Sequence, residues 1–368
     1  MPYAHITGWG MSVPEKILTN DDISKMVDTN DTWIQERTGI RERRIAGENE
    51  TTSSLAVAAS LKALKVANLR PTDLDLVICA TSTPDYIFPA TASLIQDQLG
   101  ATKAGAFDLL AACSGFIYGL NMAAQAIRSG SIKSALVVGA ETLSHYVNWK
   151  DRSTCILFGD GAGAFVLQAS EAPGGVYSAV MHSDGSGGDL LSLKNGGIKF
   201  SATSDPIVHE NKRYIEMDGN EVFRFATRVM VQATNEALEA AGLTLDQVQW
   251  IIPHQANVRI IKAAARGLEL PMEKFVVNLD RYGNTSTASI PIAAVEAIEK
   301  GQIKSGDKLV LVGFGGGLTW GAITAQWTGP FPSKGTVRPE QYRVLGRFRS
   351  YVRRIIRFIE GLLYRREL

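Results

Sequence analysis

Apolar positions along this chain alternate between two periods. A helix-like stretch ending in Ala63-Leu64-Lys-Val-Ala-Asn-Leu69 leads, after Arg-Pro-Thr-Asp-Leu74, into the apolar run Leu76-Val-Ile-Cys79. A short continuous apolar run bounded by turn residues reads as a strand covered on both faces. Gln249-Trp-Ile-Ile-Pro253 and Cys155-Ile-Leu-Phe158 read the same way. In Asp108-Leu-Leu-Ala-Ala-Cys-Ser-Gly-Phe116 the apolar run stops at Cys113, and Phe116, Leu120, Ala123, Ala124 and Ile127 then recur at helical spacing. Cys113 is therefore expected near a helix N-terminus, where unpaired N–H groups and the helix dipole favour the thiolate. Gly159-Asp-Gly-Ala-Gly163 precedes strand-like Ala164-Phe-Val-Leu167 rather than a helix, and lacks the Lys-Ser/Thr of a P-loop. It reads as a tight turn, not a phosphate cradle.

The pattern repeats. Ala63–Ile78 matches Ala237–Ile252 without gaps at an offset of 174. Ala123-Ala-Gln-Ala-Ile127 matches Ala294-Val-Glu-Ala-Ile298 at an offset of 171, and Ala135-Leu-Val-Val-Gly139 matches Leu309-Val-Leu-Val-Gly313. Helix, strand, helix, strand recur in one order, which predicts a duplicated α/β architecture. The halves are 1–172 and 173–330, with the active site at their shared boundary. At these offsets Cys113 falls on Asn284, and Ala80 on His254. All three chemical groups are thus expected at one pseudo-two-fold interface.

Charge separates a third region. The whole chain carries +1, yet residues 334–368 hold ten Lys/Arg against three Asp/Glu, leaving a mildly acidic body. Within the tail, Leu345, Phe348, Val352, Ile355, Ile359 and Leu362 alternate three and four apart, while Arg343, Arg347, Arg353, Arg354 and Arg357 lie mostly off that stripe. This predicts a basic amphipathic helix in 331–368, ~35 Å long from Tyr342 to Tyr364. Three fates stand open for it: docking on the acidic body, peripheral contact with an anionic membrane through residues 341–366, and self-association, which the arginines oppose. No apolar stretch is long enough to span a bilayer, and the N-terminus shows no secretory pattern. The three cysteines are odd in number and widely spaced, which suits a reducing cytoplasm. Neither they nor the five histidines cluster at metal-ligand spacing. The acidic body argues against nucleic acid. The polar segment Lys199–Tyr214 is turn-like and has no assigned role.

Each candidate has an ordinary reading beside the chemical one. Cysteine is among the most buried residues and often only fills space, which suits Cys79 and Cys155. His254, in Pro253-His-Gln-Ala-Asn257, follows a strand and is preceded by proline, which fits a presented side chain. Asn284, in Arg281-Tyr-Gly-Asn-Thr-Ser286, is also plain turn chemistry. Gly313-Phe-Gly-Gly-Gly317 offers backbone N–H groups to an anion, or simply turns.

Together these segments carry a resemblance. Asp31–Arg43, Ala111–Phe116, Phe158–Gly163, Gly219–Phe223, Pro253–Asn257, Gly283–Ser286 and Phe314–Gly321 occur in the order of the thiolase-like condensing enzymes, and within them of the β-ketoacyl-[acyl-carrier-protein] synthase III family. The resemblance runs over residues 1–328 and implies a five-layered αβαβα fold of the α/β class. It implies Cys113 as the acylated nucleophile, with His254 and Asn284 completing the triad. The N–H groups of Cys113 and Gly316 would form the oxyanion hole. Trp33, Arg37 and Arg152 match positions that hold the nucleotide end of coenzyme A, and Asn257 one that meets the pantetheine arm. Phe88 matches a residue that reaches the partner's acyl pocket in a homodimer, and Phe158 lines that pocket. Arg224, Arg259 and Arg266 match positions that meet the acyl carrier protein.

The implied reaction joins an acyl-CoA to malonyl-acyl carrier protein with loss of carbon dioxide, initiating fatty-acid synthesis, and needs no metal or redox cofactor. Thiolate attack calls for two N–H donors at the tetrahedral oxyanion. Decarboxylation builds charge on the thioester oxygen, which His254 and Asn284 are suited to stabilise as donors. Two other readings are a related condensing or acyl-transfer enzyme of specialised metabolism, and an idle scaffold that binds acyl-CoA. The intact Cys113, His254 and Asn284 set opposes the scaffold.

Overall fold

The computed structural model describes residues 1–194, 197–198, 213–332 and 335–364, with side chains as far as Gly361. Two sheets organise it. The first contains β1 (Tyr3–Ser12), β2 (Leu76–Ala80), β3 (Gly105–Leu109), β4 (Ser134–Glu141) and β5 (Gly161–Ser170), in the order β1-β5-β4-β2-β3. The second contains β6 (Gly175–Ser183), β7 (Trp250–Pro253), β8 (Lys308–Gly315) and β9 (Thr319–Gln326), in the order β7-β8-β9-β6. In the first sheet β3, β2 and β4 are parallel and β5 and β1 antiparallel to their neighbours. In the second, β7 and β8 are parallel while β9 and β6 follow antiparallel. Counted inward from β1 and from β6, the strand orders are the same. The partner of β3 in the second sheet has shrunk to one parallel bridge between Ile251 and Phe275.

Helices fill the layers between and outside the sheets. They are α1 (Asp31–Thr38), α2 (Thr52–Ala67), α3 (Thr91–Leu99), α4 (Gly115–Arg128), α5 (Gly219–Ala241), α6 (Val258–Gly267), α7 (Ser289–Glu299) and α8 (Pro339–Tyr364). α2 covers the outer face of the first sheet, α4 and α7 lie between the sheets, and α5 covers the outer face of the second with α6 beside it. The result is the five-layered αβαβα stack. Strand alternation explains why both sheet faces are apolar. Val77 and Cys79 of β2 point to α2, while Ile78 joins Phe116, Ile117 and Leu120 of α4. Likewise Leu309 and Leu311 of β8 face the central layer, and Val310 and Val312 face α5.

The repeat is visible residue by residue. The one-turn helix Pro71–Asp73 before β2 corresponds to Leu245–Gln247 before β7, at an offset of 174. The nucleophile turn is where the sequence alignment misleads. The short helix Ala112–Ser114 precedes α4 as Ser286–Ala288 precedes α7, and Ala112 and Ser286 share left-handed φ of 44° and 47°. Offset 174 holds there, so Cys113 is equivalent to Thr287 rather than Asn284. The reason is that α7 is shorter than α4, which shifts the later part of the helix to offset 171.

Two further expectations need correcting. Cys155 ends a short helix, Arg152–Cys155, capped by the Asp151 side chain, and is not in a strand. Gly161 and Gly163 lie inside β5 rather than in a turn. Their role is close packing: a Cβ on Gly163 would sit 2.7 Å from the Pro291 ring of α7. Of the polar segment Lys199–Tyr214, only Arg213 and Tyr214 fall within the described residues.

Candidate active site

Cys113 lies on the turn between β3 and α4. Ala112, in a left-handed conformation costly for a residue with a Cβ, reverses the chain so that Cys113 enters the layer between the sheets. Thr319 Oγ1 ties this turn to the second sheet, donating to the Ala111 carbonyl at 2.9 Å. His254 follows the end of β7, with its N–H bonded to the Val312 carbonyl at 2.8 Å. Asn284 is pinned from both sides: its N–H donates to Leu157 C=O at 2.8 Å, and its C=O accepts from Gly159 N–H at 3.0 Å. The first half of the chain therefore positions a side chain of the second.

The three converge. Cys113, His254 and Asn284 line one cavity of about 70 Å³, with Phe158, Leu157, Leu191, Val222, Phe223 and Phe314 supplying apolar walls. Larger space exists elsewhere: a cavity of about 620 Å³ borders His145, Trp149, Lys150 and Arg213, but contains none of the three. Chemistry, not volume, marks the narrower one.

Hydrogen bonds fix what each group offers to this cavity. Asn284 Oδ1 accepts the Ser286 N–H at 2.9 Å, so its Nδ2 is left as a donor. His254 Nδ1 shares a 2.6 Å hydrogen bond with Ser289 Oγ, in the first turn of α7. The ring packs edge-on against Phe314, with centroids 5.1 Å apart. Burial drives the imidazole down to about 3, so it is neutral across the physiological range. Burial pushes the Cys113 thiol up to about 12, with the Ser286 hydroxyl opposing. This runs against the expectation from the helix terminus. Removing the sulfur from water favours the protonated thiol, in opposition to the end of α4.

The glycine that touches the nucleophile is Gly315, which the sequence reading did not single out. A Cβ there would lie 2.6 Å from the Cys113 nitrogen. Gly316 follows, its carbonyl accepting from Thr319 Oγ1 at 3.1 Å. Among the described residues, the Gly316 N–H has no acceptor outside the regular elements. Ser289 was also missed: serine in a helix start is so common that only its contact with His254 reveals it. Glu141 is a third such residue. It is fully buried and accepts from Ser82 N–H and from the hydroxyls of Thr83 and Thr287, at 3.1, 2.6 and 3.1 Å. It thus braces the turn that follows Asn284.

Outward from the cavity, the remaining candidates fall into three groups. Trp33 on α1 is flanked by Arg152 and Arg37, whose guanidinium carbons lie 4.7 and 5.6 Å from its ring centroid. Asn257 lines the cavity, but its Oδ1 caps α6 through Arg259 N–H at 2.8 Å, and its Nδ2 holds the Arg37 carbonyl at 3.0 Å. Arg224, Arg259 and Arg266 are exposed on the neighbouring helices α5 and α6. Arg224 pairs with Glu221, and Arg259 lies over Phe223. Phe88 is 85% exposed in the loop before α3, well apart from its own chain's cavity lining. Phe158 is buried in that lining.

Comparison with known proteins agrees with this geometry. A family model described as 3-oxoacyl-[acyl-carrier-protein] synthase III matches residues 107–185, and its C-terminal counterpart matches 238–327. A β-ketoacyl-[acyl-carrier-protein] synthase III of Roseiflexus sp. (strain RS-1) is 52% identical over 326 residues, covering 89% of this chain and 99% of that protein. The rest of this chain has no counterpart there. The crystal structure of 3-oxoacyl-[acyl-carrier-protein] synthase III from Aquifex aeolicus VF5 superposes with a TM-score of 0.82 at 49% identity, over 88% of this chain and all of that one. The priming β-ketosynthase of the R1128 polyketide pathway gives 0.84 at 37% identity, over 89% and 97%.

Proposed function

Because the chain belongs to the β-ketoacyl-[acyl-carrier-protein] synthase III family, we propose that Cys113, His254 and Asn284 carry out decarboxylative condensation of an acyl-CoA primer with malonyl-acyl carrier protein. The observation that carries this assignment is the convergence of one thiol and two neutral donors on a single narrow cavity with apolar walls. Cys113 Sγ attacks the acyl-CoA carbonyl. The bond to the coenzyme A sulfur breaks, the thiol proton leaves with that sulfur, and the acyl group stays on Cys113. The N–H groups of Cys113 and Gly316 are the donors for the tetrahedral oxyanion.

In the second half-reaction malonyl loses carbon dioxide, and its electron pair passes to the thioester as an enolate. A histidine held near pKa 3 is a poor base but a good neutral donor. Its Nε2–H and Asn284 Nδ2–H then receive the enolate oxygen. For Nε2 to carry the proton, Nδ1 must accept, and Ser289 Oγ is placed to donate to it. The enolate carbon attacks the acyl-Cys113 carbonyl, the bond to Sγ breaks to release the β-ketoacyl product, and the departing thiolate takes up a proton from solvent to restore the thiol. These steps use no metal or redox cofactor.

Substrate contacts follow from the outer groups. Trp33 between two guanidiniums suits a purine ring with phosphates beside it, as in coenzyme A. Exposed Arg224, Arg259 and Arg266 suit an acidic carrier protein. Exposed Phe88 and the unpaired edge of β3 suit a second copy of the chain in a homodimer. Identity of 52% over 99% of a β-ketoacyl-[acyl-carrier-protein] synthase III, against 37% to the priming ketosynthase, favours the initiating step of fatty-acid synthesis. Mass spectrometry of the protein mixed with acyl-CoA tests this: an adduct on Cys113, discharged by malonyl-carrier protein into a β-ketoacyl product, is expected. An intact thiol after incubation with a panel of short acyl-CoAs would refute it.

A further inference from the structure

The tail helix is docked the wrong way round for an ordinary amphipathic helix. α8 meets the body at α3, and the contact is made by small and polar positions. A Cβ on Gly346 would lie 2.8 Å from the Gly100 Cα, so the two backbones touch. Ser350 Oγ donates to Asp97 at the same seam. Before the helix, Val337 N–H is held by Asn68 Oδ1 at 2.6 Å. Pro339, Tyr342, Gly346 and Ser350 thus form the docked side.

The apolar side faces out. At about 100° per residue, Val344, Leu345, Phe348, Tyr351, Ile355 and Ile359 share an arc of roughly 120°, opposite Gly346 and Ser350. Leu345 and Phe348 are 65% and 67% exposed. Past Ser350 the helix leaves the body, and every side chain from Arg353 to Glu360 is exposed. Arg347 and Arg349 border the arc on its two sides, and Arg353, Arg354 and Arg357 fill the polar face beyond the docked segment. A run of exposed apolar side chains this long is rare on a monomer surface and marks a contact.

We propose that α8 is a surface anchor for anionic bilayers, with the Leu345–Ile359 arc in the interfacial region and the flanking arginines on lipid phosphates. Charge decides between occupants. A second copy of α8 would bring five or more arginines against their like, whereas an anionic lipid surface attracts each of them. The apolar arc points away from the body, so a flat surface can meet it without displacing the helix from α3. Among the described residues no helix is long and apolar enough to cross a membrane, so the contact is parallel to the surface.

The test is flotation of the full-length protein with vesicles of phosphatidylglycerol and phosphatidylcholine, beside phosphatidylcholine alone. Binding to the anionic vesicles only is expected, weakening as salt rises. Phe348→Glu with Ile355→Glu should cut the bound fraction at least tenfold, and Arg353→Gln or Arg357→Gln about fivefold each. Condensation in lipid-free buffer should stay within twofold for all of them, which shows the fold intact. The proposal fails if the wild type does not float, or if the double substitution floats as well as wild type. It also fails if sedimentation without lipid shows an oligomer that Ile355→Glu dissolves, since the face would then belong to a second copy.

Discussion

Ser289→Ala separates the two half-reactions. Ser289 is not itself a lining residue of the cavity; its hydroxyl bonds to His254 Nδ1 and, at 3.4 Å, accepts from the Gln255 N–H. Removing the hydroxyl leaves a buried ring nitrogen without its partner, a cost of about 1–3 kcal/mol. The same energy sets the tautomer. Without it, the proton is free to sit on Nδ1, and Nε2 then presents a lone pair to the enolate oxygen. Converted at about 1.4 kcal/mol per tenfold, the loss is roughly 5- to 150-fold in decarboxylation. Deleting the whole donor, as in His254→Ala, should cost ~100- to 1,000-fold. In the proposed mechanism acylation of Cys113 relies on the two backbone N–H groups, so it should change less than twofold. Quenched-flow mass spectrometry of the acyl-enzyme, run beside carbon dioxide release from malonyl-carrier protein, reads both steps. Equal losses in the two steps, or no loss in decarboxylation, would refute the tautomer argument.

Other consequences are as direct. Cys113→Ala should abolish the acyl-enzyme adduct, while Asn284→Ala should leave it and slow decarboxylation ~100-fold or more. Gly315→Ala forces a methyl within 2.6 Å of the Cys113 nitrogen and should lower acylation at least tenfold, measured by adduct formation, with the melting temperature also reduced. Glu141→Ala strands several buried donors and should destabilise the protein by about 3 kcal/mol or more, measured by urea unfolding. The buried neutral His254 contributes stability that is full above about 6.5 and declines as pH falls from there toward about 3. Unfolding midpoints of wild type and His254→Gln should therefore converge as the pH is lowered through that window.

Most of the fold was legible because duplication writes the same element order twice. The α2–β2 unit and its copy before β7 align at one offset from helix to strand, and both copies obey the same burial alternation. The failures have local causes. Helix α7 starts three positions later than the offset drawn from its middle implies, so the sequence pairs Cys113 with Asn284 while the backbone pairs it with Thr287. Asn284 reaches the site by another route, as a bridge partner of Phe158. Gly315 lies in a glycine run that the sequence marks, but its contact with Cys113, like that of Ser289 with His254, lies beyond any local pattern. The tail stripe is legible as amphipathic, but which side docks is not, since Gly346 and Gly100 are 246 positions apart in the chain and only their contact shows it.

The protonated thiol closes the argument about mechanism. A cysteine near a helix terminus is ordinarily read as a ready thiolate, and its alkylation then levels off near neutral pH. Here Cys113 is 6% exposed, in a cavity walled by Phe158, Leu157 and Phe314, and burial pushes its thiol up to about 12. Such a site suppresses attack by stray electrophiles and reserves reaction for a substrate whose leaving sulfur can take the proton. Alkylation of Cys113 by iodoacetamide should accordingly be slow at pH 7 and keep rising through pH 10. A plateau below pH 8 would mean that the α4 terminus overrides burial, and the proton transfer to coenzyme A would lose its basis. Acyl-CoA should still acylate at pH 7, because the oxyanion donors and the leaving thiol act together only when that substrate fills the cavity.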